Sequence, residues 1–593
     1  MTDTPAERDD EESSVRRTWD RLRRRKVTQW GLAYAAGAWA VLQVFGFAAD
    51  SFGWPAATKQ LALLGLAFGV PLAMVLAWYH GERGGQHVTG AEVAVITLLL
   101  LLGGGFMSWW GRLAESPGLR TDPRSPAAGP RGDKSIAVLP FVNMSPDPDQ
   151  EYFSDGMSEQ VLDRLSQVRN LRVIARASSF AFKGKPLDVP VIAHRLGVAY
   201  VLDGSVRRSG NRVRVTAQLI DAADNSQLWS KTYDRELTDI FAIQDEIAVM
   251  VVRQLELTLL ANVAAPRATT SLEAYKLYLQ GRYLQERHGL DDMIQAVDVY
   301  RRAVALDPGH AAAWAALAES QWLLADLGHI EVTTGARAAK EAAGRALHFD
   351  ANLARAHYVT GKIAFAHDWD WPAADASFRR ALAVDPGDEG TLLGTAFLAL
   401  GHGRVDEAIA QIRQAVAASP LNPSTHVWLG YCDAIAGRFD DAVTEIRVGL
   451  QLSGDFSTGW YRLGVVQLLQ GHPEAALEAM RREASENWRL PGLALMHHAL
   501  QQEAESDAAL AEAKRRFGHL MAYQIAEVYA YRGDTDAAFE WLDRAYRQKD
   551  AGLAYYLVTD PLLKRVTGDP RYSDLLRRMN LPEPQPAGPV VSD

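Results

Sequence analysis

The chain has 593 residues, of which 48% are hydrophobic and 23% are charged. This length predicts about three or four folded units, and the ordinary composition excludes a wholly disordered or disulfide-stapled protein. The net charge of -10 gives the whole molecule no general attraction for nucleic acid, so we expect no nucleic-acid partner.

Three segments near the amino terminus contain no charged residue and predict transmembrane helices. They cover residues 30–48, 61–79 and 93–110, within a membrane domain over 27–113. Each is close to the roughly 20 apolar residues that a helix needs to cross a bilayer, and tryptophans lie at several of their ends. Three buried helices of a globular domain are the alternative interpretation.

The flanking charges predict the orientation of these segments. Six arginines and a lysine lie between residues 16 and 26, whereas the short loop 49–60 holds only Lys59 as a cation. Because basic loops remain cytoplasmic, the arm 1–26 is predicted inside and everything after about residue 111 outside. In a bacterium this means an inner-membrane protein with a periplasmic portion, joined to the membrane by a Pro-, Gly- and Ser-rich linker over 114–133.

The next part of the chain predicts a small α/β domain. An apolar strand over 136–142 precedes a helix that we expect Ser154 or Asp155 to cap. Two β-rich runs then flank a Gly-Asn turn at residues 210–211, which predicts a hairpin. The remaining predicted elements are a strand at 171–174 and helices at 189–196 and about 239–260.

Several motifs in this region resemble one bacterial family. They are Ser135-Ile136-Ala137-Val138-Leu139-Pro140-Phe141, Tyr152-Phe153-Ser154-Asp155-Gly156-Met157, Gly204-Ser205-Val206-Arg207, Gln218-Leu219-Ile220-Asp221 and Gln244-Asp245-Glu246-Ile247. Residues 134–262 are therefore similar to the TolB-like amino-terminal (FlgO-like) domain. The resemblance implies a membrane-tethered module followed by tetratricopeptide repeats, often behind a cytoplasmic winged helix, class III cyclase or kinase. The arm of about 26 residues is too short for such an output domain, and we expect none.

The carboxyl-terminal half carries a repeat. Alanines recur every 34 residues at 374, 408, 442 and 476, and glycines share that period at 403, 437 and 471. Thirty-four residues is the tetratricopeptide period, so residues 271–580 resemble an α-solenoid of that family. We expect eight units, with the second lengthened and the sixth and seventh irregular, followed by a charged cap and a flexible tail over 581–593.

The repeats also predict the partner class. Stacked helix pairs form a groove along their first helices, and such grooves bind protein or peptide segments. Packing between repeats is the alternative role for any one groove position. The sequence does not decide the oligomeric state. By position in the repeat, the predicted partner-binding residues are Tyr358, Lys362, Tyr431, Tyr461, Val465 and Tyr523.

The sequence contains no motif that predicts catalysis. Walker A, dinucleotide-binding, zinc-protease and nucleophile-elbow patterns are absent, so we expect no catalytic residue, cofactor or metal site, and a non-enzyme. The favoured function is an inner-membrane scaffold that presents its TolB-like domain and repeats to the periplasm in envelope assembly or sensing. The alternative is a sensory membrane subunit that relays a periplasmic signal to a separate cytoplasmic regulator.

Overall fold

The computed structural model describes residues 134–582, apart from 146, 148, 149, 169, 256–270, 288 and 455. The basic arm, the three predicted spans, the linker and residues 583–593 lie outside the described residues, and the predictions for them stand untested. Within the described part, no helix is both long and apolar enough to span a bilayer. The described residues all belong to a single compact unit.

The α/β domain is built on one mixed sheet with the strand order β3-β1-β4-β5-β6, and β2 pairs beside β4. The parallel neighbours of β1 are β3 and β4, whereas β4, β5 and β6 form an antiparallel meander. The strands are β1 (Ser135–Val138), β2 (Val142–Asn143), β3 (Arg172–Val173), β4 (Tyr200–Ser209), β5 (Arg212–Asp221) and β6 (Ser226–Glu236).

The predicted hairpin is confirmed. Ser209 pairs with Arg212, so a two-residue turn of Gly210 and Asn211 joins β4 to β5, and Gly210 has a φ of 58° that favours glycine. The third strand of the meander, β6, was not predicted. Nearly all of its side chains are at least partly exposed and only Tyr233 is buried, so the strand lacks the alternating apolar pattern that marks a half-buried strand.

Four helices pack around the sheet: α1 (Glu151–Ser166), α2 (Arg176–Phe180), α3 (Val189–Leu196) and α4 (Ile240–Gln254). The prediction that Ser154 or Asp155 caps α1 is wrong, because the helix begins at Glu151 and both residues are buried within it. Asp155 instead accepts a hydrogen bond from Lys183 Nζ at 2.5 Å. A buried carboxylate needs such a partner.

The second part is the predicted α-solenoid. The described residues from 271 to 548 form eight antiparallel helix pairs in succession. The pairs are α5 (Leu272–Gln285) with α6 (Leu290–Leu306), α7 (Ala311–Asp326) with α8 (Val332–Phe349), α9 (Ala354–Ile363) with α10 (Trp371–Val384), α11 (Glu389–Gly401) with α12 (Val405–Ala418), α13 (Pro423–Ile435) with α14 (Phe439–Leu452), α15 (Gly459–Leu469) with α16 (Pro473–Arg482), α17 (Glu486–Ala499) with α18 (Glu503–Phe517), and α19 (Ala522–Arg532) with α20 (Thr535–Gln548).

The 34-residue spacing has a direct structural cause. Gly403, Gly437 and Gly471 each lie in the turn between the two helices of a pair, with φ values of 76°, 79° and 80°. This left-handed backbone conformation is strained for residues that carry a Cβ atom. Ala408, Ala442 and the other periodic alanines are fully buried where the two helices of a pair meet.

After the eighth pair the chain leaves the repeat pattern. It forms α21 (Gly552–Tyr556), a 3-10 turn (Pro561–Leu563) and α22 (Pro570–Arg578). This end of the chain contacts the third pair, because Trp371 Nε1 donates to the Met579 carbonyl at 2.8 Å and Lys549 Nζ lies 3.6 Å from the centre of the Trp369 ring. The array therefore closes on itself.

Candidate protein-binding groove

The first helices of pairs three to eight face one another on one side of the array, and we call this side the inner groove. Residues from α9, α11, α13, α15 and α19 converge there on α21 and the 3-10 turn after it. The groove therefore already holds a segment of this chain, residues 550–563, which we call the inner segment.

Two adjacent tyrosines of the inner segment make aromatic contacts with the groove, and each accepts a hydrogen bond from a cation. Tyr555 accepts a hydrogen bond from Lys362 Nζ at 2.7 Å, and its ring lies 4.9 Å from that of Phe397 in an edge-to-face arrangement. The indole of Trp428 is nearly parallel to both tyrosine rings, at 6.0 Å from Tyr555 and 5.9 Å from Tyr556. Such aromatic pairs each stabilise by about 0.5–1.5 kcal/mol beyond area burial.

Arg462 is the central cation of the groove. Its guanidinium carbon lies 3.8 Å from the centre of Trp428 and 4.4 Å from that of Tyr431, and Nη2 donates to the Tyr556 hydroxyl at 2.6 Å. The side chain is only 3% exposed, so these rings replace the water around the charge. Arginine suits this position because its planar, weakly hydrated group stacks on aromatic faces.

A pair of carboxyl groups lies beside this cation. Glu527 hydrogen-bonds to Asp560, and Tyr461 and Tyr523 donate to the two residues at 3.0 and 2.8 Å respectively. Burial, and then the neighbouring Asp560, raise the pKa of Glu527 well above its ordinary value. Burial also raises the pKa of Asp560. Both shifts favour the protonated, neutral form of these buried carboxyl groups, and the charge of Arg462 opposes the shifts.

A different interface joins the α/β domain to the array. Glu159 of α1 forms a buried ion pair with Arg282 of α5, and Arg176 of α2 pairs with Glu286 at 2.7 Å. Gly156 lies so close to Leu279 that a Cβ atom there would collide with the leucine side chain. These contacts cover the first helix of the array.

The same domain also contacts the connections between later pairs. The amide of Ala175 donates to the Ala418 carbonyl at 2.8 Å, Ser178 and Ser419 share a hydrogen bond of 3.0 Å, and Ser166 donates to Asp385 at 3.0 Å. We call this set of contacts, from α5 to the connection after α12, the junction.

Two carboxyl groups of the junction have raised pKa values. Burial, with Asp388 nearby, raises the pKa of Asp385 to about 7. Burial raises the pKa of Asp163 to about 6, while Arg355 opposes the shift and Asp388 adds to it. Protons at these groups therefore favour the folded protein over the unfolded chain.

The six sequence-predicted positions fall into one region. Tyr431, Tyr461, Val465 and Tyr523 are at most 4% exposed, whereas Tyr358 and Lys362 are partly exposed. Of the six, Lys362, Tyr431 and Tyr523 contact the two tyrosines of the inner segment directly. Their neighbours in the groove belong to this chain, so binding of an external partner by them stays a prediction.

Sequence reasoning missed the residues that organise the groove. The 34-residue period does not distinguish Arg462 from its neighbours, and the inner segment lies in the region that the sequence predicts as a charged cap. The adjacent tyrosines after the eighth pair were the available signal, because a polar cap does not need two large aromatic side chains. Among the described residues, no group of three or more metal-ligating side chains is close enough to hold a metal ion.

Comparisons with known proteins support the repeats. Residues 393–455 match a family model described as a tetratricopeptide repeat, and residues 132–250 match one described as the second domain of HilA/YgeH-like transcriptional regulators. A curated relative, the "Putative adenylate cyclase 3" of Rhizobium meliloti strain 1021, is 44% identical over 209 residues. That match covers 35% of this chain and 35% of the relative, so it spans about a third of the relative's length.

Solved structures with similar helical arrays include PilF of Pseudomonas aeruginosa, at 16% identity and a TM-score of 0.28, covering 34% of this chain and 91% of that one. Human IFIT1 has a TM-score of 0.35 at 13% identity, covering 52% and 78% of the two chains. YrrB, described as having an unusual peptide-binding site, has a TM-score of 0.24 at 16% identity, covering 35% and 96%.

Proposed function

We propose that this chain is a membrane-anchored scaffold for protein–protein interaction, which presents a TolB-like domain and tetratricopeptide repeats to the bacterial periplasm in envelope assembly or sensing. The observation that carries the proposal is the repeat array itself. Its aromatic inner groove offers stacking surfaces and paired charges, which are the features that repeat arrays use to bind peptide segments. The uncharged amino-terminal segments and their basic flank support the anchoring.

Topology is tested by fusing alkaline phosphatase and a fluorescent protein in turn after Gly84 and after Asp593 in an enteric bacterium. We expect phosphatase activity at Asp593 and fluorescence at Gly84. Fluorescence at Asp593 would overturn the periplasmic placement.

Binding is tested by placing a photo-crosslinking amino acid at Tyr358, a partly exposed groove position. Gln414, which is exposed on α12, provides the matched control. We expect a discrete adduct with an envelope protein from position 358 and none from position 414. Equal patterns from the two positions would contradict a partner in the groove.

The second candidate function is a sensory membrane subunit that relays an external signal to a separate cytoplasmic regulator. The similarity to a protein named as a putative adenylate cyclase favours it, because that name belongs to signalling. This function requires capture of a cytoplasmic partner by the basic arm, and replacing the arginines of residues 16–25 by serine should abolish that capture. We also propose that the chain has no cyclase activity of its own, which an assay of the full-length protein with ATP would test.

A further inference from the structure

The inner segment differs from a further repeat in how it is held. Its helix α21 is a single turn of five residues and has no antiparallel partner helix of its own. Its side chains contact α19 of the preceding pair and also four first helices that lie about 90 to 200 residues earlier, α9, α11, α13 and α15. These contacts have the form of a peptide bound across a repeat groove.

The first contact site of the groove takes Tyr555. Lys362 donates to the phenol oxygen, Phe397 meets the ring edge-on, and Trp428 lies nearly parallel to it, at an interplanar angle of 22°. The site therefore recognises both an aromatic ring and a hydroxyl group. Tyr555 is partly exposed, so this contact site is open to solvent.

The second contact site takes Tyr556. Arg462 donates to its phenol oxygen, Trp428 stacks on its ring at 14°, and Tyr431 meets that ring edge-on at 86°. Tyr523 closes the site at 5.9 Å. The second site also requires a ring that carries a hydrogen-bond acceptor.

A third contact site follows four residues later. Asp560 accepts from the Tyr523 hydroxyl at 2.8 Å, and its other oxygen accepts from the amide of Leu562 at 2.8 Å. The inner segment thus presents two adjacent tyrosines and then a carboxyl group, in the order Tyr-Tyr-x-x-x-Asp.

We propose that residues 551–560 are an intramolecular ligand of the inner groove, and that the groove binds partner segments with two adjacent tyrosines followed by a carboxyl group. This inference rests on the protein-binding function proposed above and names its partner class. A partner of this composition would replace Tyr555, Tyr556 and Asp560 at their three contact sites. A tethered ligand acts at an effective concentration in the millimolar range, so the inner segment excludes weaker or unrelated peptides.

The test uses the full-length chain in detergent and a fluorescent synthetic peptide with the sequence of residues 550–563. Binding is measured by fluorescence anisotropy for the wild type and for the variant Tyr555→Ala/Tyr556→Ala. We expect the variant to bind the peptide at least tenfold more tightly than the wild type, because its own segment no longer fills the two tyrosine sites. The control peptide has alanine at both tyrosine positions and should bind neither protein.

A variant that keeps the wild-type circular dichroism spectrum but does not bind the peptide would overturn the proposal. If this variant is misfolded, Tyr555→Phe/Tyr556→Phe takes its place, because it keeps the ring packing and removes the hydrogen bonds from Lys362 and Arg462. Its gain in peptide affinity should be smaller but measurable, and an affinity equal to that of the wild type would count against the proposal.

The outcomes also separate this inference from the proposed function. Peptide binding without a crosslinked partner at position 358 would support the intramolecular ligand and contradict the proposed scaffold function. A crosslinked partner without peptide binding would support the proposed scaffold function and contradict the intramolecular ligand.

Discussion

The array is covered in two places by other parts of the same chain, and the two interfaces use different chemistry. At the junction, charges occur in distributed pairs such as Glu159 with Arg282, and backbone groups bond directly. In the inner groove, one cation, Arg462, lies among aromatic rings beside two buried carboxyl groups whose pKa values are raised. The comparison shows that a periodic helical scaffold sets where surfaces meet, while a few aperiodic residues decide what holds them together.

The largest effect is expected from removing the single cation of the groove. Arg462→Met keeps much of the apolar volume but removes the buried cation that interacts with the Glu527 and Asp560 carboxyl groups and stacks on Trp428. We expect a loss of about 3–5 kcal/mol in the free energy of unfolding, measured by urea denaturation of the full-length chain. Glu159→Gln, which removes one charge from the distributed pairs of the junction, is the comparison and should cost about 2 kcal/mol. An equal or larger loss for Glu159→Gln would contradict the contrast between the interfaces.

Two glycine substitutions compare the rigidity of the interfaces. A Cβ atom at Gly401 would collide with the backbone carbonyl of Ala554, whereas one at Gly156 would collide with the side-chain end of Leu279. Because backbone moves less readily than a leucine methyl group, we expect Gly401→Ala to cost about 1–3 kcal/mol and Gly156→Ala less than about 1 kcal/mol. Thermal unfolding of both variants would measure the difference, and the reverse order would show that the inner segment yields more easily than the junction.

The pH dependence of the junction follows from Asp385 and Asp163, whose pKa values are about 7 and about 6 in the folded protein. Both exceed the unfolded value of about 3.9, so the folded state binds more protons. Their contribution to the free energy of unfolding is greatest below about pH 4. It falls as the pH rises towards 7 and is constant above pH 7. With screening by solvent, we expect a loss of about 1–2 kcal/mol between pH 5 and pH 8.

Hydrogen exchange of α1 and α2 across this pH range measures the effect, since these helices form the junction. Asp385→Asn should flatten the profile there. Asp550→Asn is the matched control in the inner segment, because burial raises the pKa of Asp550 to about 6. If Asp550→Asn flattened the profile of α1 and α2 equally, the pH dependence would not be specific to the junction, and the prediction would be wrong.

The smallest effect is expected from Lys362. Its ammonium group donates to Tyr555 and lies 5.4 Å from the ring centre, but both side chains are partly exposed. Lys362→Met should therefore cost only about 0.5–1 kcal/mol in global stability. We expect faster hydrogen exchange confined to residues 551–560, and unchanged exchange there would show that Tyr555 is held by the aromatic rings alone.

Much of the fold could be predicted because its signals are local. Turn chemistry at Gly210 and Asn211 predicted the hairpin, and the recurring glycines and alanines predicted the solenoid. The strand β6 and the start of α1 could not be predicted. In β6 the exposed side chains carry no alternation, and in α1 the buried Asp155 depends on Lys183, a partner 28 residues away.

The residues of the candidate site were likewise only partly predictable from the sequence. Repeat position placed Tyr431, Tyr461 and Tyr523 in one groove, since the period determines which face of each first helix is shared. That period carried no information about Tyr555 and Tyr556, which lie outside it and reach the groove only when the array closes.

By itself, the sequence determined the α/β domain, the 34-residue helix pairs and the face on which the groove forms, because periodicity and turn residues act between neighbours along the chain. Only the tertiary structure decided what fills the groove and where the α/β domain docks. Those outcomes depend on contacts between residues about 90 to 245 positions apart, such as Lys362 with Tyr555 and Ser178 with Ser419. Such contacts form only when the array closes and buries polar and charged groups beside suitable partners. No local sequence pattern encodes these conditions.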